Sequence, residues 1–370
     1  MNMKILNLLE SGGVGGIEQL CKNIGIYANY SNTFCFLFEE GQIYEEMIDK
    51  GLDAVSLVDK SGGKFSISRW KKLCDLAKDF DIITIHHCTI SLQIYYILLN
   101  KKFPNKKFVM TVHSCFEENL NFNYDNRFKN IVAKWSLDSS LMLSDKIVFV
   151  SEAGRKSYLE NFDIKINKTE VVYNGVVTQK IINDQYNKNY FRLTYIGRLE
   201  KIKGIALLLH AFKKLIEKDK SIKLRIIGDG SDKNNLIKLS KKLELNNYVE
   251  FLGIQRDIGF YLEQTDGFIY PSICQEVFGI SIVEAMSYGV PCISNNVGGI
   301  PEIIKDGVNG FITEEISAYG IYESINRMTK TYNTPKWEDL KKESVNTSKM
   351  FSISNTVNSL KSMYEGLLYD

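Results

Sequence analysis

Gln275-Glu276-Val277-Phe278-Gly279-Ile280-Ser281-Ile282-Val283-Glu284-Ala285-Met286-Ser287-Tyr288-Gly289-Val290-Pro291 reads as a loop carrying one carboxylate, then a short helix carrying a second. Ile280, Val283 and Met286 recur at helical spacing, Gly289 suits a left-handed C-terminal cap, and Pro291 forbids continuation. A short apolar strand over 267–270 precedes the stretch and stops at Pro271-Ser272; another follows over 290–294. A helix that starts beside the carboxyl end of a strand offers free N–H groups and a positive dipole end, which suits an anionic ligand.

The same alternation extends outward in both directions. Strands are expected at 4–9, 33–38, 54–57, 82–86, 107–112, 146–150 and 170–173, with helical stretches between them. A second series follows at 192–196, 223–227, 248–252, 267–270, 292–294 and 310–312, with helices notably over 206–218 and 233–243. Such βαβ rhythm means parallel, doubly wound sheets. The fold class is therefore α/β, with two Rossmann-like domains facing each other across a cleft. The expected boundaries are 1–178, 188–346, and a C-terminal helix over 347–370 that packs back toward the first domain. Asn174-Gly175 ends the first domain, and the polar tract 178–189 reads as the linker.

Composition excludes several classes. The chain of 370 residues is 44% hydrophobic and 24% charged, ordinary values for a globular protein. A formal net charge of +2, with no dominant basic block, argues against nucleic acid as the main partner. Seven cysteines form no CxxC pair and sit mostly in apolar contexts, so buried thiols in a reducing compartment are expected. No run approaches the ~20 apolar residues of a membrane span, and the start 3–9 reads as a buried strand instead of a signal peptide. A cytoplasmic location follows, with the inner face of the cell membrane as a place of work.

Three further constellations lie where strands meet helices. Glu10-Ser11-Gly12-Gly13-Val14-Gly15-Gly16 joins the first strand to the first helix; its spacing fits neither GxGxxG nor a Walker A loop. It is either a tight βα turn or a phosphate-facing one. Gly197-Arg198-Leu199-Glu200-Lys201-Ile202-Lys203-Gly204 places two cations at the end of a strand, where they fit a diphosphate or are solvated surface charge. Ile227-Gly228-Asp229-Gly230 is another glycine turn, and Gly298-Gly299-Ile300-Pro301-Glu302 adds a further glycine-lined edge.

In order and spacing, Gly15-Gly16-Ile17-Glu18, Val150-Ser151, Asn174-Gly175-Val176, Gly197-Arg198-Leu199, Lys203-Gly204, Glu276, Glu284, Gly298-Gly299 and Glu302 resemble the family 4 glycosyltransferases. These are retaining, nucleotide-sugar-dependent enzymes of GT-B fold, and the resemblance covers nearly the whole chain. It implies that Arg198 and Lys203 bind the donor diphosphate and stabilise the leaving group. Glu276 is implied to hydrogen-bond the donor sugar, and His113 to sit near the reacting sugar. Backbone around Phe278, Gly279 and Ile280 contacts sugar and phosphate, with Val283 beside them, and Glu284 takes the ribose hydroxyls. Gly253 and Ile254 fall where the family reads the base, with Gly228 on the same edge, while Gly15 and Gly16 line the opposite side of the phosphate site.

The resemblance further implies a UDP-sugar donor, no metal and no other cofactor. The product would be a bacterial surface polysaccharide, grown on a glycan or a polyprenyl-diphosphate-linked acceptor. On the acceptor side, His86 and His87 end a strand and are either acceptor ligands or packed histidines. The segments 69–72 and 101–107 interleave cations with apolar residues, as a patch on an anionic membrane or a solvated loop would. Two other readings stand beside transfer: a nucleotide-sugar epimerase on a GT-B-like fold, and a non-catalytic sugar-nucleotide-binding subunit.

Overall fold

The computed structural model describes residues 3–59, 63–86, 89–117, 126–178 and 190–369. The chain divides into two compact units, one of Met1–Gly175 with Ile353–Asp370, the other of Val176–Ser352. Each of the thirteen expected strands is present, with ends within two residues of the expected ones. Most of the linker tract lies outside the described residues.

The first unit is built on seven parallel strands: β1 Lys4–Ser11, β2 Ser31–Glu39, β3 Ala54–Ser56, β4 Ile82–His86, β5 Lys107–Val112, β6 Lys146–Phe149 and β7 Thr169–Val171. Their order is β3-β2-β1-β4-β5-β6-β7. The central strands are apolar along nearly their whole length because helices cover both faces; β4 is buried at every position. One core joins Leu6, Leu8, Ile83, Ile85, Phe108 and Met110 to Tyr96, Leu137 and Tyr158 on the helices.

The second unit has six parallel strands: β8 Phe191–Ile196, β9 Ile222–Ile227, β10 Val249–Gly253, β11 Gly267–Tyr270, β12 Cys292–Ser294 and β13 Gly310–Ile312. The order is β10-β9-β8-β11-β12-β13. The stretch 275–291 forms a loop followed by the helix Ile280–Ser287, whose Ile282, Val283, Ala285 and Met286 are all buried.

The C-terminal helical pattern resolves into two helices, Pro335–Met350 and Ile353–Tyr369. Phe351 breaks them apart: its ring is buried and meets Phe278 edge-on at 5.3 Å. The last helix belongs to the first unit, where Tyr364 packs edge-on against Tyr30 at 5.9 Å.

Candidate active site

In each sheet the strand order reverses once, between β1 and β4 in the first unit and between β8 and β11 in the second. Chains leaving the carboxyl ends of these adjacent strands turn in opposite directions and leave a crevice, the usual ligand site of an open α/β sheet. The residues singled out from the sequence gather at these two places. Gly15 and Gly16 follow β1, His86 ends β4 and His113 follows β5; Arg198, Lys203 and Glu276 follow β8 and β11.

In the second unit, Lys203 ends a short turn after β8 and is 7% exposed. Its Nζ donates to Glu276 Oε1 at 2.5 Å and to the Tyr270 hydroxyl at 3.2 Å. An ammonium has three protons, so one donor remains for a ligand. Glu276 Oε1 also accepts from Ser272 Oγ at 2.6 Å and Cys274 Sγ at 3.4 Å, so three donors converge on one carboxylate oxygen. Burial, together with the Glu276 carboxylate, raises the Tyr270 hydroxyl well above its ordinary range and keeps it protonated. Arg198 is exposed, and among the described residues its one ion pair is with Glu200 at 2.8 Å. A surface pair of this kind is weak, so the guanidinium is easily recruited by a ligand.

The loop that carries Glu276 is fixed from behind. Asn295, fully buried, donates through Nδ2 to the carbonyls of Pro271 and Ser272, both at 2.9 Å, and accepts from Thr313 Oγ1 at 2.7 Å. Gly298 N donates to Gln275 Oε1 at 2.8 Å, and Gly299 N to the Glu276 carbonyl at 2.7 Å. Gly298 has φ 52°, and a Cβ there would lie 2.1 Å from that carbonyl, so only glycine lets the two loops touch. Gly228 is similar: at φ 137° its Cβ would lie 1.9 Å from the Gly197 carbonyl. Its glycine serves the packing of the turns after β8 and β9.

Gly279 enters the helix Ile280–Ser287 at φ 99°, with no side chain capping the first turn. Phe278 and Val283 turn their side chains into the core, so only their backbone can face a ligand; Ile280 is half-buried. Glu284 lies on this helix, half-exposed at its surface yet surrounded by enough protein that burial pushes its carboxyl up to about 7. Among the described residues no hydrogen bond or ion pair to the carboxyl compensates this. Gly253 ends β10 at φ 68°, and Ile254 beyond it is exposed.

The corresponding edge of the first unit differs in character. Gly15, in extended conformation, precedes the helix Gly16–Tyr27 without a side-chain cap. Glu18 folds its carboxylate back over this helix start, close to Gly15, and bonds its own backbone N–H; burial raises both Glu18 and the neighbouring Glu10. His86 is 5% exposed, so it presents no surface to an acceptor. It sits behind His113 instead, with Nδ1 3.0 Å from His113 Nε2. The rings are 20° from parallel with centroids 5.3 Å apart, the geometry of an edge-to-edge hydrogen bond in a common plane. Cys21 Sγ lies 3.5 Å from the far nitrogen, Nε2, and burial pushes His86 down to about 4. His87 lies outside the described residues.

Two family models match consecutive parts of the chain, "Glycosyltransferase Family 4" over residues 34–180 and "Glycosyl transferases group 1" over 178–345. The chain belongs to the family 4 glycosyltransferases. An uncharacterized glycosyltransferase of Methanocaldococcus jannaschii is 29% identical over 292 residues, 74% of this chain and 70% of the relative. The N-acetylgalactosamine-N,N'-diacetylbacillosaminyl-diphospho-undecaprenol 4-alpha-N-acetylgalactosaminyltransferase of Campylobacter jejuni is 27% identical, covering 71% of each chain. Among solved structures, Anabaena HepE in complex with UDP-glucose superposes with a TM-score of 0.83 over 98% of this chain and 100% of that one. At 20% identity this likeness shows the fold, which is GT-B.

In this glycosyltransferase the expected membrane patches are partly dismantled. Arg69 is buried, donating to the carbonyls of Leu57, Gly63 and Lys64, and Lys106 donates to those of Lys78 and Phe80. Lys71, Lys72, Lys101 and Lys102 stay exposed. No helix among the described residues is long and apolar enough to cross a membrane. The described residues contain no group of three or more His, Cys, Asp or Glu that could hold a metal ion. Sequence reasoning misses Tyr270, Ser272 and Asn295 of this glycosyltransferase, which carry no motif; their only trace is a polar residue at or just past the end of a buried strand.

Proposed function

We propose that this glycosyltransferase moves a sugar, with retention of anomeric configuration and without a metal, from a UDP-sugar to a glycan or polyprenyl-diphosphate-linked acceptor of a surface polysaccharide. The observation that carries the reading is the junction of Lys203 with Glu276 at the switch point of the second sheet. There a cation with one proton left over stands beside a carboxylate whose Oε1 is occupied, so that Oε2 is the oxygen for a sugar hydroxyl. Arg198 and the third Lys203 proton take the diphosphate, and Glu284 accepts from the ribose.

As the bond from the anomeric carbon to phosphate oxygen breaks, charge grows on the leaving diphosphate, and these cations stabilise it more than the ground state. The acceptor oxygen bonds to the anomeric carbon from the same face, and its proton passes to the departing phosphate. The acceptor class is supported by the name of the Campylobacter relative and by the exposed lysines 71, 72, 101 and 102, which suit an anionic membrane surface. A thermal-shift screen of nucleotides and nucleotide sugars tests the donor: UDP and one UDP-sugar, at a hundredfold excess over Kd, are expected to stabilise by about 2.7 kcal/mol. Absence of a shift with every nucleotide would overturn the reading, and transfer abolished by EDTA and restored by Mg²⁺ would overturn its metal-free part.

A further inference from the structure

The amino ends of the strands in the second sheet carry a second cluster of charge. Arg192 on β8 pairs in register with Lys223 on β9, Thr194 with Arg225, and Arg225 with Glu250 on β10. Residues two apart on neighbouring parallel strands share a face, so three cations and one carboxylate stand together. They line a cavity of about 240 Å³ with Tyr190 and Tyr248.

Two of the cations are already engaged. Arg192 donates to the Tyr190 hydroxyl and to Gln264 Oε1 at 3.2 Å; Lys223 donates to the Asn247 carbonyl at 2.6 Å and lies 4.5 Å from the centre of the Tyr248 ring. Arg225 is different. It is 8% exposed, and among the described residues its buried Nε and Nη1 have no hydrogen-bond partner. Glu250 Oε2 lies 3.8 Å from Nε, an ion pair too long to be a hydrogen bond, and the Tyr261 ring lies 5.0 Å from the guanidinium carbon. A buried guanidinium with unspent donors is costly unless an anion meets it.

We propose that this pocket is a second anion site, taking a phosphate group on the Arg225 guanidinium with Lys223 and Arg192 as flanking charge. Arg192 and Gly197 stand at opposite ends of β8, so the pocket lies about 15–20 Å from the donor residues and is separate from them. The ligand is either a soluble phosphate ester or the phosphate of a lipid headgroup.

The test uses the full chain carrying Lys203→Met, which disables the donor site, and measures pyrophosphate binding by calorimetry alongside sedimentation with phosphatidylcholine vesicles with and without phosphatidylglycerol. Adding Arg225→Gln is expected to weaken binding at least ~10-fold, the loss of one charge-assisted hydrogen bond. Lys223→Gln should weaken it too, and keeps the test decisive if Arg225→Gln does not fold. Arg225-dependent sedimentation only with phosphatidylglycerol assigns the site to lipid; Arg225-dependent pyrophosphate binding alone assigns it to a soluble ligand. Binding that neither substitution changes, or no binding to either probe, overturns the proposal. Arg225→Gln alone should leave transfer to a soluble acceptor unchanged.

Discussion

At the carboxyl end of the second sheet, a buried lysine and a carboxylate meet at 2.5 Å; at that of the first, two imidazoles share a hydrogen bond of 3.0 Å, and burial raises the carboxyls of Glu10 and Glu18. Both edges follow from the same backbone device, a reversal of strand order in a parallel sheet. What differs is the side chains, and they sort by the charge each edge must meet. The second edge supplies positive charge with its own counterion, as an anionic donor requires. The first supplies imidazoles, and carboxyls that burial raises above their ordinary range.

Lys203 is where this contrast should fail most visibly if it is wrong. Lys203→Ala should lower transfer by at least ~10²–10³-fold, the scale of a lost transition-state electrostatic contact. Because the pair is nearly buried, the substitution also leaves Glu276 without its cation, and melting should fall measurably. Lys203→Ala with Glu276→Ala should be less destabilised than the sum of the single changes; additivity in denaturant melts would mean that the two are not coupled.

Glu284 probes the contrast within the donor side. It has a folded pKa of about 7, above its ordinary value of 4.5, so the folded state holds its proton more tightly than the unfolded one. Stability from this group is therefore greatest below pH 4.5 and lost as pH rises to 7. Glu284→Gln should raise stability by about 1–3 kcal/mol above pH 7, with the gain vanishing toward pH 4.5, while weakening nucleotide binding. A variant that melts like the parent at pH 8 would refute the burial argument.

The smallest effect is expected on the first edge. His86→Ala should lower kcat about tenfold, the worth of one orienting hydrogen bond, and leave KM for the donor unchanged. His86→Asn keeps an amide where Nδ1 stood and should recover most of the loss. A shift in donor KM, or no recovery with Asn, would assign His86 a packing role only.

Much of the fold and part of the site are legible in the amino-acid sequence. Parallel strands buried on both faces are written as short apolar runs between helical periods, so all thirteen can be placed. Lys203, Glu276 and His113, on the loops after β8, β11 and β5, are legible through the family motifs they match. What escapes are properties set by the third dimension. The burial of His86 depends on Cys21 and His113, far from it in sequence. At Gly228 the missing side chain admits the Gly197 carbonyl, a contact between turns that leaves no mark in the sequence. The break at Phe351 is made by a distant partner, Phe278, and leaves no turn signal. Arg225 looks like one more cation in a strand, and only its buried, unspent donors distinguish it.

With the ribose contact proposed for Glu284, its raised carboxyl also ties substrate capture to acidity. A hydroxyl-bearing ligand on that helix is held best by the ionised form, so at pH 6 each binding event must expel a proton into the medium. Nucleotide-sugar occupancy would then fall as the surroundings acidify, even though no charge on the doubly esterified diphosphate has changed, and the donor site would act as a gauge of local pH near neutrality.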